Sequence, residues 1–311
     1  MLETFGLIGL AAGPRLLVTG GVHGNETCGT DAIQQVISAF RSGELELRKG
    51  QVTFVPVANP LAYRKRERAG ERDLNRDLRE VVVPQAFEDR VANALAPIFR
   101  AHEVLVDLHS FRSEGQPFVL VGPENNDGEI EPFALSAQET ALAGRLGPRL
   151  MMHGWLATYI KGAKLGAAEA PPPRGRFSQG VGTTEFFRFC GGYAVTVECG
   201  RNGEPAAVQT ARSAVLNALA HLRMVDAPQP PVTIERSIQL VDVVIAEGEG
   251  DRLSQPWRNG DAVRAGAEIA RRAGGEPVFA HEDGYVVFPD VSAQPGEALF
   301  YFAVDSDRRG V

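Results

Sequence analysis

Two imidazoles and two carboxylates stand at the ends of apolar runs in this sequence, and these residue types hold and use divalent metals. His23 and Glu26 lie three residues apart in Gly20-Gly21-Val22-His23-Gly24-Asn25-Glu26. His109 closes Asp107-Leu108-His109, and Glu198 sits in Val197-Glu198-Cys199. A catalytic zinc takes three protein ligands, two histidines and a glutamate being a common set, and keeps one position open for water. His23 and Glu26 can share one ion at a strand-to-helix turn, where Gly20, Gly21 and Gly24 let the backbone bend. His109 would join them from a neighbouring strand. Asp107 shares a strand face with His109, where a carboxylate orients a histidine ligand. An H-x-x-E pair alone, or a lone histidine in an apolar strand, is commonly a surface or core feature. Only their convergence on one place points to a metal.

That convergence needs elements that deliver the residues to one place. Residues 15–21, 51–58, 103–110 and 193–200 are short, nearly continuous apolar runs, as in strands buried on both faces. Each brings a polar residue to its carboxyl end, the edge of an open α/β sheet where ligands bind. Helical spacing appears over 25–41, 85–101, 133–146 and 205–225, with Pro205 suited to a first helical turn. Strands alternating with helices predict an α/β fold, a mixed, mostly parallel sheet flanked by helices, over residues 1–225. The Gly-, Ala- and Pro-rich segment 161–182 reads as a long loop over a site. Residues 226–231 read as a linker, and 226–311 as a small all-β, barrel-like domain with a hairpin turn at Asp283-Gly284.

Composition excludes several classes. The chain has 311 residues, 44% of them apolar and 23% charged, with a net charge of −7 from 32 basic and 39 acidic residues. An acidic chain has no bulk affinity for nucleic acid or anionic membranes. Three scattered cysteines, Cys28, Cys190 and Cys199, argue against a disulfide framework and a cysteine zinc site. There is no basic leader before the first apolar run and no long uninterrupted apolar stretch. A cytoplasmic location is the expectation, with homo-oligomerisation left open. Against the acidic background, residues 64–76 hold six cations: Arg64, Lys65, Arg66, Arg68, Arg72 and Arg76. Most suit a solvated loop, but Arg76 suits a carboxylate clamp, because arginine pairs bidentately with carboxylates. A small anionic substrate follows.

The ordered set GGVHGNE, NP, RxxxxDxNR, DLH and ExG resembles the succinylglutamate desuccinylase and aspartoacylase family of the zinc carboxypeptidase superfamily. The resemblance spans residues 15 to about 200 through its motifs. It implies one zinc per chain, bound by His23, Glu26 and His109. It implies that Glu198 activates the attacking water and then protonates the leaving nitrogen, and that Arg68 polarises the scissile carbonyl. Asn75 and Arg76 match the pair that grips the substrate carboxylate, and Arg188 matches a second carboxylate-binding arginine. A tyrosine from the C-terminal domain is also expected at the site, with Tyr285 and Tyr301 as candidates. The implied reaction is hydrolysis of the amide of a small acidic N-acyl amino acid, of the N-succinylglutamate or N-acetylaspartate type. The alternatives are a metallocarboxypeptidase acting on peptides and a non-catalytic zinc- or ligand-binding relative. The latter has no use for Glu198 and Arg68.

Overall fold

The structure, a computed structural model, describes residues 1–166 and 180–309. The first part of the chain runs β1 (Phe5–Ile8), β2 (Ala11–Thr19), α1 (Cys28–Ser42), β3 (Lys49–Val55), α2 (Pro60–Lys65), α3 (Phe87–Arg100) and β4 (Val104–Phe111). It continues through β5 (Phe118–Leu120), α4 (Ser136–Ala143), β6 (Leu150–His153), α5 (Trp155–Gly166), α6 (Thr183–Phe189), β7 (Tyr193–Arg201) and α7 (Pro205–His221). The remainder is β8 (Arg236–Ile245), β9 (Arg252–Leu253), β10 (Asp261–Val263), β11 (Glu268–Arg271), β12 (Pro277–Phe279), β13 (Gly284–Val287) and β14 (Ala298–Asp305). No helix among the described residues is long and apolar enough to cross a membrane.

The apolar runs form the centre of an 11-stranded sheet in the order β1-β3-β2-β4-β7-β5-β6-β8-β14-β13-β10. The pairs β3–β2, β2–β4 and β4–β7 are parallel, and β5 runs antiparallel to β7. Alternation along the strands divides the core. Leu16, Val18, Val106 and Leu108 face α1 and α7, packing with Ile33, Val36, Ala211 and Val215. Leu17 and Leu105 face α3 and α6, packing with Leu95, Phe99 and Phe187. Helices therefore cover both faces, as continuous apolar strands require.

The helices begin and end where the residue types allow. The apolar spacing of Ala32, Ile33, Val36, Ile37 and Phe40 turns one face of α1 to the sheet. The helix stops at Gly43, whose φ of 79° is the left-handed cap conformation. Asn59 caps α2 by accepting from the Ala62 N–H. Pro205 starts α7.

Two expectations change here. The segment 161–182 is not one loop: residues 161–166 complete α5 and Gly182 caps α6, while residues 167–179 lie outside the described residues. Beyond the expected linker, β8 pairs in parallel with β6, so the sheet continues through β8, β14, β13 and β10. A separate three-stranded sheet, β12-β11-β9, completes the C-terminal region.

Candidate metal centre and active-site cavity

The candidate ligands converge. One ligand atom from each of His23, Glu26 and His109 lies within 4.8 Å of the other two. His23 and Glu26 sit in the turn between β2 and α1, and His109 lies near the end of β4. The turn lies against α2 so closely that a Cβ on Gly24 would sit 2.0 Å from the Ala62 carbonyl. Any larger residue there would displace the ligand turn.

The hydrogen-bond pattern bears on what fills this cluster. Nδ1 of His23 lies 2.8 Å from Glu26 Oε1, and Nδ1 of His109 lies 3.0 Å from Glu26 Oε2. Nε2 of His23 lies 3.2 Å from Asp73 Oδ1, and Nε2 of His109 lies 2.8 Å from Asp107 Oδ2. Both rings thus meet carboxylates at both nitrogens, whereas a neutral imidazole donates from one only. A divalent cation held by His23, His109 and Glu26 would resolve this, leaving each Nε2–H to donate to Asp73 or Asp107, the carboxylate–histidine arrangement that orients metal ligands. The donor set, two imidazoles and one carboxylate, suits zinc. Asp107 is fully buried and also accepts from the hydroxyls of Thr19 and Thr183.

Glu198 is the register partner of His109 across the β4–β7 pair. It is buried, and its Oε2 has no hydrogen-bond partner among the described residues. Burial first, and then the Glu26 carboxylate, push it up to about 8. A carboxyl perturbed this way beside the His23–Glu26–His109 cluster suits proton transfer. Arg68 donates from Nε to Asp73 Oδ2 at 3.0 Å and brings Nη1 within 3.7 Å of Glu26. Asp73 therefore ties Arg68 to His23. Burial alone would raise the Asp73 carboxyl, but His23 and Arg68 outweigh it and hold it well below the usual range.

These groups open onto a cavity of about 600 Å³. Asn75 and Arg76 line it. Asn75 Oδ1 accepts from the Thr183 N–H at 2.9 Å, which leaves its NH₂ for a ligand. The Arg76 guanidinium lies 5.1 Å from the Trp155 ring centre and 4.9 Å from that of Tyr159. Tyr301 also lines the cavity, and burial pushes its hydroxyl up to about 12. Of the two candidate tyrosines it is Tyr301 that faces the site. Tyr285 donates to Asp305 instead. Arg188 stands in the cavity wall, but its guanidinium is enclosed by Glu139, Glu131, Glu185 and the Ala194 carbonyl. Cys28 and Cys199 are buried thiols of the core.

Sequence reasoning missed Asp73, Thr183 and Glu88. Asp73 was visible inside Asp73-Leu74-Asn75-Arg76, but an irregular loop carries no periodicity to say where its side chain goes. Glu88, on α3, is fully buried and accepts from Asn59 Nδ2 and from the N–H groups of Gly70, Glu71 and Arg72. It anchors the loop that carries Arg68 and Asp73. A Glu near a helix start in an acidic chain gives no sign of this.

Residues 12–222 match the succinylglutamate desuccinylase/aspartoacylase catalytic domain. A curated relative, the succinylglutamate desuccinylase of Pseudomonas paraeruginosa, is 39% identical over 64 residues, which are 21% of this chain and 19% of that protein. The alignment therefore spans about a fifth of that relative's length. The crystal structure of a succinylglutamate desuccinylase/aspartoacylase from Rhodobacter sphaeroides is similar with a TM-score of 0.74 at 20% identity, covering 99% of this chain and 90% of that one. The product-bound ectoine utilization protein EutE (DoeB) from Ruegeria pomeroyi is similar with a TM-score of 0.71 at 21% identity, covering 97% and 88%. At these identities the two structures speak for the fold.

Proposed function

Because this chain belongs to the succinylglutamate desuccinylase/aspartoacylase family, we propose that it is a zinc-dependent deacylase that hydrolyses the amide of a small N-acyl amino acid. The observation that carries the reading is the pairing of the His23–Glu26–His109 cluster with Glu198, a buried carboxylate whose Oε2 lacks a partner among the described residues.

His23 and His109, through Nδ1, and Glu26 would hold the metal. When bound, the ion supplies Lewis acidity toward the carbonyl and lowers the pKa of water to about 7. Glu198 takes the proton of the attacking water and delivers it to the departing nitrogen. The Arg68 guanidinium stabilises the oxyanion as the carbonyl carbon becomes tetrahedral, a contribution of about 3 kcal/mol for one well-placed donor. Asp73 holds both His23 and Arg68 for these tasks. Arg76, stacked against Trp155 and Tyr159, presents its fork to the substrate carboxylate. Phe288, Asp290 and Tyr301 of the C-terminal region line the same cavity. They narrow it against a long peptide, which favours a deacylase over a carboxypeptidase.

The test is acyl release from a panel of N-acetyl and N-succinyl amino acids by the zinc-loaded protein, before and after chelation. Turnover that disappears with the metal and returns on its addition is expected. Glu198→Gln should retain the metal and lose about 10²–10⁴-fold in kcat. Wild-type turnover by Glu198→Gln would remove Glu198 from the mechanism.

A further inference from the structure

We propose that this cavity selects an N-acyl amino acid with a single carboxylate and an uncharged or cationic side chain, and disfavours the dicarboxylates that the basic stretch 64–76 suggests. The inference rests on the deacylase reading and names its substrate class.

Among the described residues, four arginines line the cavity: Arg68, Arg76, Arg112 and Arg188. Arg188 is enclosed: Nε donates to Glu139 and Nη1 to Glu131, each at 2.8 Å, and Nη2 donates to the Ala194 carbonyl at 2.9 Å. Glu185 adds a further carboxylate, 3.5 Å from Nη1. Three carboxylates thus surround one guanidinium whose side chain is 2% exposed. The group is net negative, and its electrostatics agree. Burial, reinforced by Glu185 and Glu139, outweighs Arg188 and pushes Glu131 up to about 7. A substrate carboxylate brought to this wall would meet surplus negative charge and no vacant donor fork. Glu185 itself lines the cavity.

The remaining cations are accounted for in turn. Arg112 pairs with Asp290 at 3.3 Å and with the Ser292 hydroxyl, and its side chain is 55% exposed. Arg68 is tied to Asp73 and serves the carbonyl. Among the described residues, Arg76 is the one cavity arginine without a carboxylate in ion-pair contact. Its Nη1 donates to the Asn75 carbonyl at 2.7 Å, which leaves N–H groups for one carboxylate and no more. Val243, Ile245, Phe288 and Tyr301 stand in the rest of the wall beside hydroxyls such as Ser110, Thr184 and Thr196 and the carboxylate of Glu297, none of them a cation. Apolar surface penalises a desolvated carboxylate, whereas ring faces accept apolar groups or cations.

N-Acetylglutamine and N-acetylglutamate differ in one charge at nearly constant shape, so they isolate the effect. With the zinc-loaded protein, kcat/KM for N-acetylglutamine or Nα-acetylornithine should exceed that for N-acetylglutamate at least tenfold. Equal or better turnover of N-acetylglutamate, N-acetylaspartate or N-succinylglutamate overturns the inference and leaves the deacylase reading standing. No turnover of any amide by protein with confirmed metal removes both. Glu185→Gln keeps an acceptor for the Gly182 N–H while removing one charge beside Arg188. It should raise kcat/KM for N-acetylglutamate several-fold relative to N-acetylglutamine. Glu131→Gln, with a side chain 10% exposed at the margin of the cluster, should do the same. An unchanged ratio in both variants, each folded by its unfolding transition, would place the discrimination elsewhere and overturn the inference.

Discussion

Asp73 does two jobs with one carboxylate, because Oδ1 meets His23 Nε2 and Oδ2 meets Arg68 Nε. An asparagine has only one oxygen to accept with and would turn an NH₂ toward one of two donors. Asp73→Asn should therefore weaken zinc binding by about 10–100-fold, read by competition with a chromophoric chelator. It should lower kcat/KM further at saturating zinc, because Arg68 loses its anchor. Asp107→Asn should weaken zinc to a similar degree with a smaller loss at saturating zinc, since Asp107 contacts His109 and not Arg68. Equal residual activities of the two variants would show that Asp73 acts through the metal alone. The contrast also explains what was legible. His23, His109 and Glu198 stand at the ends of apolar runs, so period and topology carry them to one sheet edge. Asp73 and the partners of Arg188 sit where side-chain direction follows from tertiary contacts. The family resemblance offered Arg188 as a carboxylate-binding residue, but only the fold shows Glu131 and Glu139 paired with it.

At the scale of elements, the loop between α2 and α3 presents Arg68, Asp73, Asn75 and Arg76, and Glu88 is what shapes it. Its Oε1 accepts from Asn59 Nδ2 at 3.0 Å and from the Gly70 N–H at 3.1 Å, and its Oε2 from the Arg72 N–H at 3.2 Å. The loop approaches so closely that a Cβ on Gly70 would lie 2.2 Å from Glu88 Oε1. Glu88→Ala strands several donors in a buried place. At about 1–3 kcal/mol for each unsatisfied group, a loss of about 3 kcal/mol in unfolding free energy is expected from urea titration. Gly70→Ala should leave the carboxylate but shift the loop, costing kcat/KM more than tenfold with a smaller loss of stability. A Gly70→Ala protein with unaltered kinetics would mean the loop tolerates displacement. The main strands and helices were readable because their apolar periods are long and unbroken. Residues 161–166 were not, because Gly and Ala near a Pro-rich stretch suggest a loop, whereas α5 ends at Gly166. The continuation of the sheet into β8 was equally hidden: a six-residue Pro-rich stretch signals a linker, and strand pairing beyond it is a long-range choice.

For the whole molecule, that continuation decides how it unfolds. Phe118, Leu150 and Met152 share one core cluster with Ile238, Val287 and Tyr301. The chain's end fastens the same seam: His153 Nε2 lies 2.8 Å from Ser306 Oγ, and Arg308 donates to the Gly122 carbonyl and to Thr140 Oγ1. The two parts should melt together, with calorimetric and van't Hoff enthalpies in agreement, and Ile238→Ala should destabilise that single transition by about 2–5 kcal/mol. Two separated transitions would contradict a shared core. The seam also carries a pH signature. Burial first, and then the Arg308 charge, bring His153 down to about 4. In the unfolded chain it titrates near 6.5. The folded protein therefore holds this imidazole neutral while the unfolded chain takes up a proton, so stability is full above pH about 6.5 and falls as pH drops toward 4. The ceiling is about 1.4 kcal/mol per pH unit, and partial exposure reduces it. Urea unfolding at pH 7 and at pH 5 should show the wild type losing about 1 kcal/mol more than His153→Gln, which keeps a hydrogen-bonding group toward Ser306 without a titrating one. If the two proteins lose the same amount, His153 is as easily protonated folded as unfolded, and the seam between β6 and the chain's end is open to water.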